Sequence, residues 1–217
     1  MKLLAVDTAL GACSVALLEG DKVLAHILEV MERGHAERLA PMVSQAMTGI
    51  SFAALDLLAV TTGPGTFTGQ RVGLAFMRGL RVGLGIPLVG VTTLEAIAAQ
   101  AMAQAERSLA AVIHDARRQE AYLLLQQEDQ ILEPPIVLNF ARAIDHIRSF
   151  GPCVLAGSGA VAAHQELGAA FTLSPVRQPD ALWVGRLARS RPLPDKPPGP
   201  LYLRAPDAKL PGGKATA

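Results

Sequence analysis

The spacing of apolar residues predicts that the chain begins with three short strands. Apolar residues alternate with polar ones, or run without interruption, through Lys2–Asp7, Cys13–Glu19 and Lys22–Val30. Gly11 separates the first two segments and Gly20-Asp21 the last two, and both are typical turn residues. We therefore expect an antiparallel meander at the N-terminus.

After the meander, the apolar spacing becomes that of helices alternating with short buried strands. The elements expected in the first half are helix His35–Met47, strand Asp56–Thr61, a long helix from Phe67, strand Pro87–Val91 and helix Leu94–Ala105. The second half repeats the order, with strands Leu109–His114, Glu120–Gln127 and Ile131–Val137, helix Phe140–Phe150, strand Pro152–Ala156, helix Val161–Leu167, strand Phe171–Val176 and a last helix. Asn139 and Asp180 are placed to cap the helices that follow them.

The repeated order of elements predicts an α/β protein of two related lobes, residues 1–106 and 107–217. A meander followed by alternating helices and strands is the order of the ribonuclease H-like lobes that are paired in actin-like ATPases, and each lobe would hold a mixed sheet. The proline-rich tail after Arg191 is expected to be extended, and the segment from Pro211 onward to be disordered.

The composition is that of a globular and nearly neutral protein. Half of the residues are apolar, and 20 basic against 19 acidic residues give a formal net charge of +1, so no general attraction to nucleic acid or anionic membranes is expected. Cys13 and Cys153 belong to no CxxC pattern, and we expect two free buried thiols in a reducing compartment. No signal-peptide pattern is visible and arginines interrupt the apolar stretch Val72–Ala103, so we expect a cytoplasmic protein without a membrane helix.

The most distinctive segment is the glycine-rich bend Gly63-Pro64-Gly65-Thr66-Phe67-Thr68-Gly69. It follows an apolar strand and opens the long helix, whose first backbone amides point back at the loop and could bind an anion. The alternative is a tight turn that needs glycine for left-handed backbone angles and for close packing. The bend alone leaves both readings open.

Asp7 and Thr8, at the end of the first strand, are the candidate polar residues near this bend. In actin-like ATPases an acidic residue at this place lies near the phosphates, and a carboxylate there could hold a hydrated magnesium ion. We favour the alternative, in which the two side chains satisfy backbone amides in the turn toward Gly11.

The long helix carries four glycines among its apolar residues, at Gly69, Gly73, Gly79 and Gly83. Because glycine inside a helix costs about 1 kcal/mol relative to alanine, we expect a close contact that compensates for them. One candidate for this contact is packing within the lobe, and the other is a partner chain docked on this helix and on the helix from His35. The interface residues predicted are His35, Leu39, Met42, Val72, Ala75, Phe76 and Leu80.

Several segments together resemble one family over nearly the whole chain. They are Leu4-Ala5-Val6-Asp7-Thr8 with Cys13-Ser14-Val15-Ala16, the Gly63–Gly73 motif, Gly90-Val91-Thr92-Thr93-Leu94-Glu95, Asp115-Ala116-Arg117 with Glu120 and Tyr122, and Leu201-Tyr202-Leu203-Arg204. The chain thereby resembles the TsaB, or YeaZ, family, which is needed to form threonylcarbamoyladenosine on tRNA. It departs mildly at Thr66, where the family often has serine, and at Gln70, where it often has an aliphatic residue.

The resemblance implies a protein that works by binding. The TsaB family is similar to TsaD, the catalytic carbamoyl transferase, which has two metal-binding histidines in a segment that reads Gly-Val-Asn-His-Leu-Glu-(Gly or Ala)-His. Thr93 and Ile97 occupy those two positions here, and neither side chain can replace imidazole as a ligand of iron or zinc. No catalytic residue and no metal are therefore expected.

The family also implies partners. These are a TsaD-type carbamoyltransferase, which the chain would activate as a scaffold, and a TsaE-type ATPase that joins the complex. Contact with tRNA would be indirect, and a homodimer is expected when the chain is alone. The cofactor that the resemblance suggests is ATP or ADP at the interface with the partner.

Two enzymatic alternatives remain at this point. One is an actin-like ATPase that uses Asp7 and the Gly63 loop, and the other is a glycoprotease-type peptidase. No GxSxG motif supports the peptidase, and neither Ser14 nor Ser158 has a histidine partner that the sequence identifies.

Overall fold

Each half of the chain builds one five-stranded mixed sheet. The computed structural model describes residues 1–204, so the disorder expected from Pro211 onward lies outside the described residues. The strands are β1 Lys2–Asp7, β2 Ala12–Glu19, β3 Lys22–Val30, β4 Leu57–Thr61, β5 Leu88–Val91, β6 Leu109–Arg117, β7 Glu120–Gln127, β8 Gln130–Asn139, β9 Val154–Ala156 and β10 Thr172–Leu173. The helices are α1 His35–Ala46, α2 Phe67–Leu84, α3 Thr93–Ala105, α4 Phe140–Phe150, α5 Ala160–Leu167 and α6 Ala181–Arg189, with a 3-10 turn at Phe52–Ala54.

The two sheets share one topology. The strand order is β3-β2-β1-β4-β5 in the first sheet and β8-β7-β6-β9-β10 in the second. In the first sheet β1 pairs antiparallel with β2 and parallel with β4, so Val6 lies between Val15 and Val60. In the second sheet β6 pairs in the same way with β7 and β9. The predicted meanders and mixed sheets are confirmed. The parallel pairs place the carboxyl ends of neighbouring strands at the same edge of each sheet.

Five layers follow along the molecule because helices cover both faces of each sheet. Helices α1 and α2 pack on the outer face of the first sheet, where Leu39, Met42 and Met77 are fully buried. Helices α4 and α5 cover the outer face of the second sheet. Helices α6 and α3 lie between the sheets and contact each other.

The two central helices are exchanged relative to the predicted lobes. Helix α3, from the first half, packs on β6, β7 and β9, whereas α6, from the second half, packs on β1, β2 and β4. Small residues on α6 make this approach close, since a Cβ at Gly185 would lie 2.3 Å from Leu18 Cδ1. The expected boundary between residues 106 and 107 therefore does not separate two independent packing units.

Most predicted elements lie within a few residues of the observed ones. The largest difference is the strand expected at Phe171–Val176, of which Thr172–Leu173 remains. Beyond it, Ser174 Oγ accepts the Val176 N–H at 3.1 Å, and Pro175 has no N–H for a regular ladder. The segment still runs beside β9, because Ser174 N donates to Leu155 O and Gly157 N donates to Val176 O, both at 2.9 Å. Both predicted caps are confirmed, because the side chains of Asn139 and Asp180 each accept a backbone N–H in the first turn of α4 and α6.

The tail after Arg191 forms no helix or strand up to residue 204 and lies along the first sheet. Leu201 N donates to Thr62 O at 2.7 Å, and Arg78 Nε donates to Pro198 O at 3.1 Å. Cys13 and Cys153 are free and buried, as expected. Within residues 1–204, no helix has both the length and the apolar character needed to cross a membrane.

Candidate functional site

An open cleft with a volume of about 580 Å³ lies where the strand ends of the two sheets meet. One wall is formed by Leu10 and Gly11 after β1 and by the glycine-rich bend with Gln70, and the other by residues 114–117 at the end of β6. Residues 201–204 also line the cleft. The volume is in the range of small-molecule sites, so the cleft is the candidate site.

The glycine-rich bend has a fixed shape. Gly63 has a φ of +107° and is followed by a cis peptide bond to Pro64. Thr66 caps α2, because its Oγ1 accepts the Gly69 N–H at 3.1 Å, while its own N–H donates to Ala9 O at 2.8 Å. The bend is therefore held both to α2 and to the end of β1.

The glycines of the bend are explained by contact with the chain's own backbone. A Cβ at Gly65 would lie 2.3 Å from Ala9 O, and a Cβ at Gly69 would lie 2.2 Å from Thr8 O. No side chain fits at such distances. Of the two readings left open by the sequence, the close-packed turn accounts for these residues without a ligand.

Thr8 connects the end of β1 to helix α2. Its Oγ1 donates to Gly69 O at 2.6 Å and accepts from Gly73 N at 3.0 Å, so the hydroxyl bridges two backbone groups one helical turn apart. A Cβ at Gly73 would lie 2.7 Å from the same oxygen. Thr8 thus satisfies backbone groups, as favoured from the sequence, but these groups belong to α2 and not to the turn toward Gly11.

Asp7 is fully buried behind the cleft wall and does not line the cleft. Its Oδ1 accepts from Thr61 Oγ1 at 2.6 Å and from Ala9 N at 3.1 Å, whereas Oδ2 has no hydrogen-bond partner among residues 1–204. Burial raises the pKa of Asp7 to about 7. Asp7 thus accepts the Ala9 N–H in the turn toward Gly11, which is the alternative favoured from the sequence.

The second lobe repeats this packing with Gly157-Ser158-Gly159 after β9. Gly157 has a φ of +94°, and a Cβ there would lie 2.5 Å from Ile113 O. Gly159 N donates to the same carbonyl at 3.0 Å. In both lobes a glycine loop therefore rests on the end of the first strand of its own sheet.

Ser158 lies beside His114 and Asp115, but the three do not form a catalytic triad. Ser158 Oγ accepts the backbone N–H of Asp115 at 2.9 Å, and the Ser158 backbone N–H donates to His114 Nδ1 at 3.4 Å. Burial lowers the pKa of His114 to about 4, so its imidazole is neutral near pH 7. Because the imidazole contacts the backbone of Ser158 and not its hydroxyl, this arrangement does not activate a nucleophile.

Comparison with known proteins gives one consistent relationship. Residues 23–180 match the family model TsaD, tRNA N6-adenosine threonylcarbamoyltransferase. The chain is 42% identical to the tRNA threonylcarbamoyladenosine biosynthesis protein TsaB of Escherichia coli over 134 residues, 60% of this chain and 57% of that protein. The solved structure of YeaZ from Pseudomonas aeruginosa is 31% identical with a TM-score of 0.75, covering 87% of this chain and 90% of that one. This chain belongs to the TsaB (YeaZ) family.

Two further comparisons concern the length that is matched and the fold. An uncharacterized protein of Mycobacterium tuberculosis is 36% identical over 219 residues, 95% of this chain and 93% of that protein. The chain spans little more than half of the Escherichia coli TsaB. The ethanolamine utilization protein EutJ from Carboxydothermus hydrogenoformans has a TM-score of 0.51 at 12% identity, covering 85% of this chain and 89% of that one, which concerns the fold alone. The predicted actin-like fold is confirmed.

The segment that the family resemblance matches to the TsaD histidines lies at the end of β5 and in the first turns of α3. Thr93 and Ile97 are fully buried there, and Thr92 caps the helix in a reciprocal pair with Glu95. Neither the Thr93 nor the Ile97 side chain is a metal ligand of the imidazole type. Within residues 1–204, no group of three His, Cys, Asp or Glu side chains could hold a metal ion.

The predicted docking residues divide into two sets. His35, Leu39 and Met42 are buried against the first sheet, and His35 Nε2 is hydrogen-bonded to Leu10 O at 3.0 Å. These three side chains belong to the core and cannot line a docking surface in this conformation, because the apolar stripe of α1 faces inward. Ala75 is exposed, whereas Val72, Phe76 and Leu80 are half-buried.

Sequence reasoning missed the residues that the tail brings to the cleft. Tyr202 stacks on Phe67 with ring centroids 5.6 Å apart, and Arg204 Nε lies 3.2 Å from Glu120 Oε2. Tyr202, Arg204 and Glu120 all occur in the segments that carry the family resemblance. Their spatial pairing across the lobes was not visible from their separation along the chain.

Proposed function

We propose that this chain is a non-catalytic subunit that activates a TsaD-type carbamoyltransferase, which forms threonylcarbamoyladenosine next to the anticodon of tRNAs. The observation that carries the proposal is the packing of the glycine-rich bend. Gly65 and Gly69 lie against the backbone of Thr8 and Ala9, and Asp7 is buried behind them. The groups that would serve a reacting phosphate are thus used within the fold, which favours binding over catalysis.

The docking surface proposed is the outer face of α2. Ala75, Gly79, Val82 and Gly83 are exposed on it, and a Cβ at either glycine would have no neighbour within 4 Å. Gly69 and Gly73 are explained by Thr8, but Gly79 and Gly83 have no such contact within the described chain. A partner that approaches this face closely would compensate their cost of about 1 kcal/mol each.

Half-buried side chains extend this surface at its edge. Val72, Phe76 and Leu80 pack partly on the first lobe and leave part of their surface available. In the absence of the partner, the same face would support a homodimer, since a two-fold interface uses one patch twice.

The remaining partners follow from the same proposal. A TsaE-type ATPase would join the complex, and ATP or ADP would bind at the interface with the partner. The net charge of +1 suits a subunit that contacts tRNA indirectly, and the cytoplasm is the compartment proposed.

Reconstitution tests the proposal directly. Threonylcarbamoylation of tRNA by the TsaD-type and TsaE-type proteins is expected to depend on this chain, and a full rate without it would refute the proposal. Ala75→Glu places a charge on the docking face and is expected to weaken association with the partner at least tenfold. Ala162→Glu, at an exposed position on α5, is the matched control and should associate normally.

Nucleotide binding by the chain alone is the second candidate function. The volume of the cleft, about 580 Å³, and the arginine at position 117 on its wall favour it. The packing of Gly65 against Ala9 and the burial of Asp7 weigh against it. Calorimetry with ATP and magnesium on the purified chain is expected to show no saturable binding, and saturable binding with turnover would reverse this ranking.

A further inference from the structure

The last described residues, 198–204, form a segment that we call the C-terminal strap. It begins on the first lobe, where Arg78 Nε donates to Pro198 O at 3.1 Å. Pro198 also packs on Gly90, at which a Cβ would lie 2.7 Å from the proline Cβ. Leu201 N then donates to Thr62 O at 2.7 Å, directly before the glycine-rich bend. The strap is thus fixed along the edge of the first sheet.

The strap is anchored next on the first turns of α2. The Tyr202 ring stacks on Phe67, and the Arg71 guanidinium lies 3.5 Å from the centre of the Phe67 ring. Arg71 Nε also donates to the Tyr202 hydroxyl at 2.9 Å. Phe67 and Tyr202 are 46% and 42% exposed, so this anchor is only partly protected from water.

The final anchor lies on the second lobe. Arg204 Nε is 3.2 Å from Glu120 Oε2, and Arg204 Nη1 donates to Ala116 O. Ala116 and Glu120 flank the turn between β6 and β7. Between Tyr202 and Arg204, the strap therefore crosses from one wall of the cleft to the other.

The turn that receives Arg204 has an unusual backbone. Arg117, Arg118 and Gln119 have φ values of 65°, 54° and 62°, a left-handed conformation that residues other than glycine seldom adopt. Asp115 Oδ1 accepts from Arg117 N at 2.7 Å, and Gln119 O accepts from Phe140 N at 2.8 Å. Contacts on both sides hold the turn in one shape, so it presents the Ala116 carbonyl to Arg204 in a fixed position.

We propose that the C-terminal strap is a releasable clasp that sets the angle between the two lobes. The lobes stay joined by α3 and α6 between the sheets, whatever the strap does. An exposed aromatic stack and a partly exposed ion pair are weak contacts in water, so releasing these two anchors costs little compared with unfolding. Release would widen the cleft, because the two anchors lie on its opposite walls.

The clasp also lies beside the docking face. The coupling between the two that we infer rests on the proposed function. Arg71 and Arg78 hold the strap. They lie on the same exposed row of α2 as Ala75 and Val82. A partner that docks on this row competes with the strap for the two arginines. Docking would thereby favour the open cleft.

Distance measurements between spin labels on the full chain test the clasp. Labels are placed at Gln45→Cys on α1 and Ser149→Cys on α4, both exposed, while the native cysteines are buried. We expect one narrow distribution for the parent chain, and a longer, broader one for Tyr202→Ala and for Arg204→Gln. Leu193→Ala, at a position that is 62% exposed in the same tail, is the control and should match the parent.

Distributions that coincide for all four chains, with circular dichroism showing each one folded, would overturn the clasp. Adding the TsaD-type partner separates this result from the proposed function. If the parent chain binds the partner and its distribution is unchanged, the coupling is refuted while the docking proposal stands. If Tyr202→Ala opens the free chain but the partner does not bind, the clasp stands and the docking proposal fails.

Discussion

The two lobes share one packing rule and differ in what they build on it. In each, a glycine loop after the second parallel strand lies on the end of the first, with Gly69 against Thr8 O and Gly157 against Ile113 O. The first lobe continues into an 18-residue helix with two glycines, Gly79 and Gly83, at which an added Cβ would have no neighbour within 4 Å. The second continues into an 8-residue helix, α5.

This difference distinguishes the features that the fold requires from those that indicate a function. A feature present in both lobes, such as glycine under a backbone carbonyl, is required by the doubled fold and needs no ligand. A feature present in one lobe, such as the open glycines of α2, has no structural reason within the described chain. The docking proposal rests on the second kind of feature.

The largest expected effect comes from filling the shared glycine positions. Gly69→Ala places a Cβ 2.2 Å from Thr8 O, and Gly157→Ala places one 2.5 Å from Ile113 O. Because both obstacles are backbone, each variant should lose about 3 kcal/mol of unfolding free energy or more. Urea unfolding measures the loss. If one lobe tolerates alanine without loss, the shared rule is wrong for that lobe.

The hydroxyl of Thr8 ranks next. Thr8→Val keeps the shape of the side chain but leaves Gly69 O and Gly73 N without the bridging oxygen, which should cost about 1–3 kcal/mol. Thr48→Val is the matched control, since that hydroxyl is exposed and makes a long bond of 3.4 Å to Ser44 O. Equal stability of the two variants in urea unfolding would contradict the bridging role.

The buried titratable groups of the two lobes predict opposite pH dependences. The pKa of Asp7 is raised from 3.8 to about 7. Between these two values the folded state holds a proton that the unfolded state releases, so the free energy of unfolding decreases as the pH rises from about 4 to about 7. The pKa of His114 is lowered from 6.5 to about 4, so its contribution to the free energy of unfolding is lost as the pH falls from 6.5 to about 4.

Unfolding free energies measured from pH 4 to 7 check these signs. Relative to the parent chain, Asp7→Asn should become more stable as pH rises, by up to about 1.4 kcal/mol per pH unit. His114→Gln should show the reverse trend between pH 4 and 6.5. If the difference in unfolding free energy between variant and parent does not change with pH for either variant, burial does not shift these pKa values.

The smallest expected effect lies on the open face of α2. Gly79→Ala should stabilise the fold by about 0.5–1 kcal/mol, because nothing lies within 4 Å and alanine favours the helix. The same variant should weaken binding to the partner, where a close approach needs glycine. A thermal melt and an affinity measurement check both signs, and a loss of stability would contradict the open environment.

The sequence predicted the elements well because their signals are local. Turn glycines, caps such as Asn139 and apolar periodicity act within a few residues of one another, and they place the strands and helices nearly where they occur. The exchange of α3 and α6 could not be predicted in this way. It depends on which sheet face accepts the small residues around Gly185, and that is a property of the assembled core.

The candidate site was predicted less completely. The glycine-rich bend was identified, and its packing against Thr8 and Ala9 was one of two open alternatives. The inward orientation of Leu39 and Met42 was missed, since an apolar stripe can face either the core or a partner. The pairing of Arg204 with Glu120 joins residues far apart in the chain, which no local pattern reveals.

The central claim is that the chain acts on its partner by binding and supplies no reacting group. It is tested most directly by titrating the chain into the reconstituted threonylcarbamoylation reaction and measuring the plateau rate and the half-saturating concentration. Ala75→Glu should raise the half-saturating concentration at least tenfold and reach the parent's plateau, whereas Asp7→Asn and Ser158→Ala should change neither. A plateau that falls with Asp7→Asn or Ser158→Ala, at unchanged half-saturation and with the variant folded, would contradict the account.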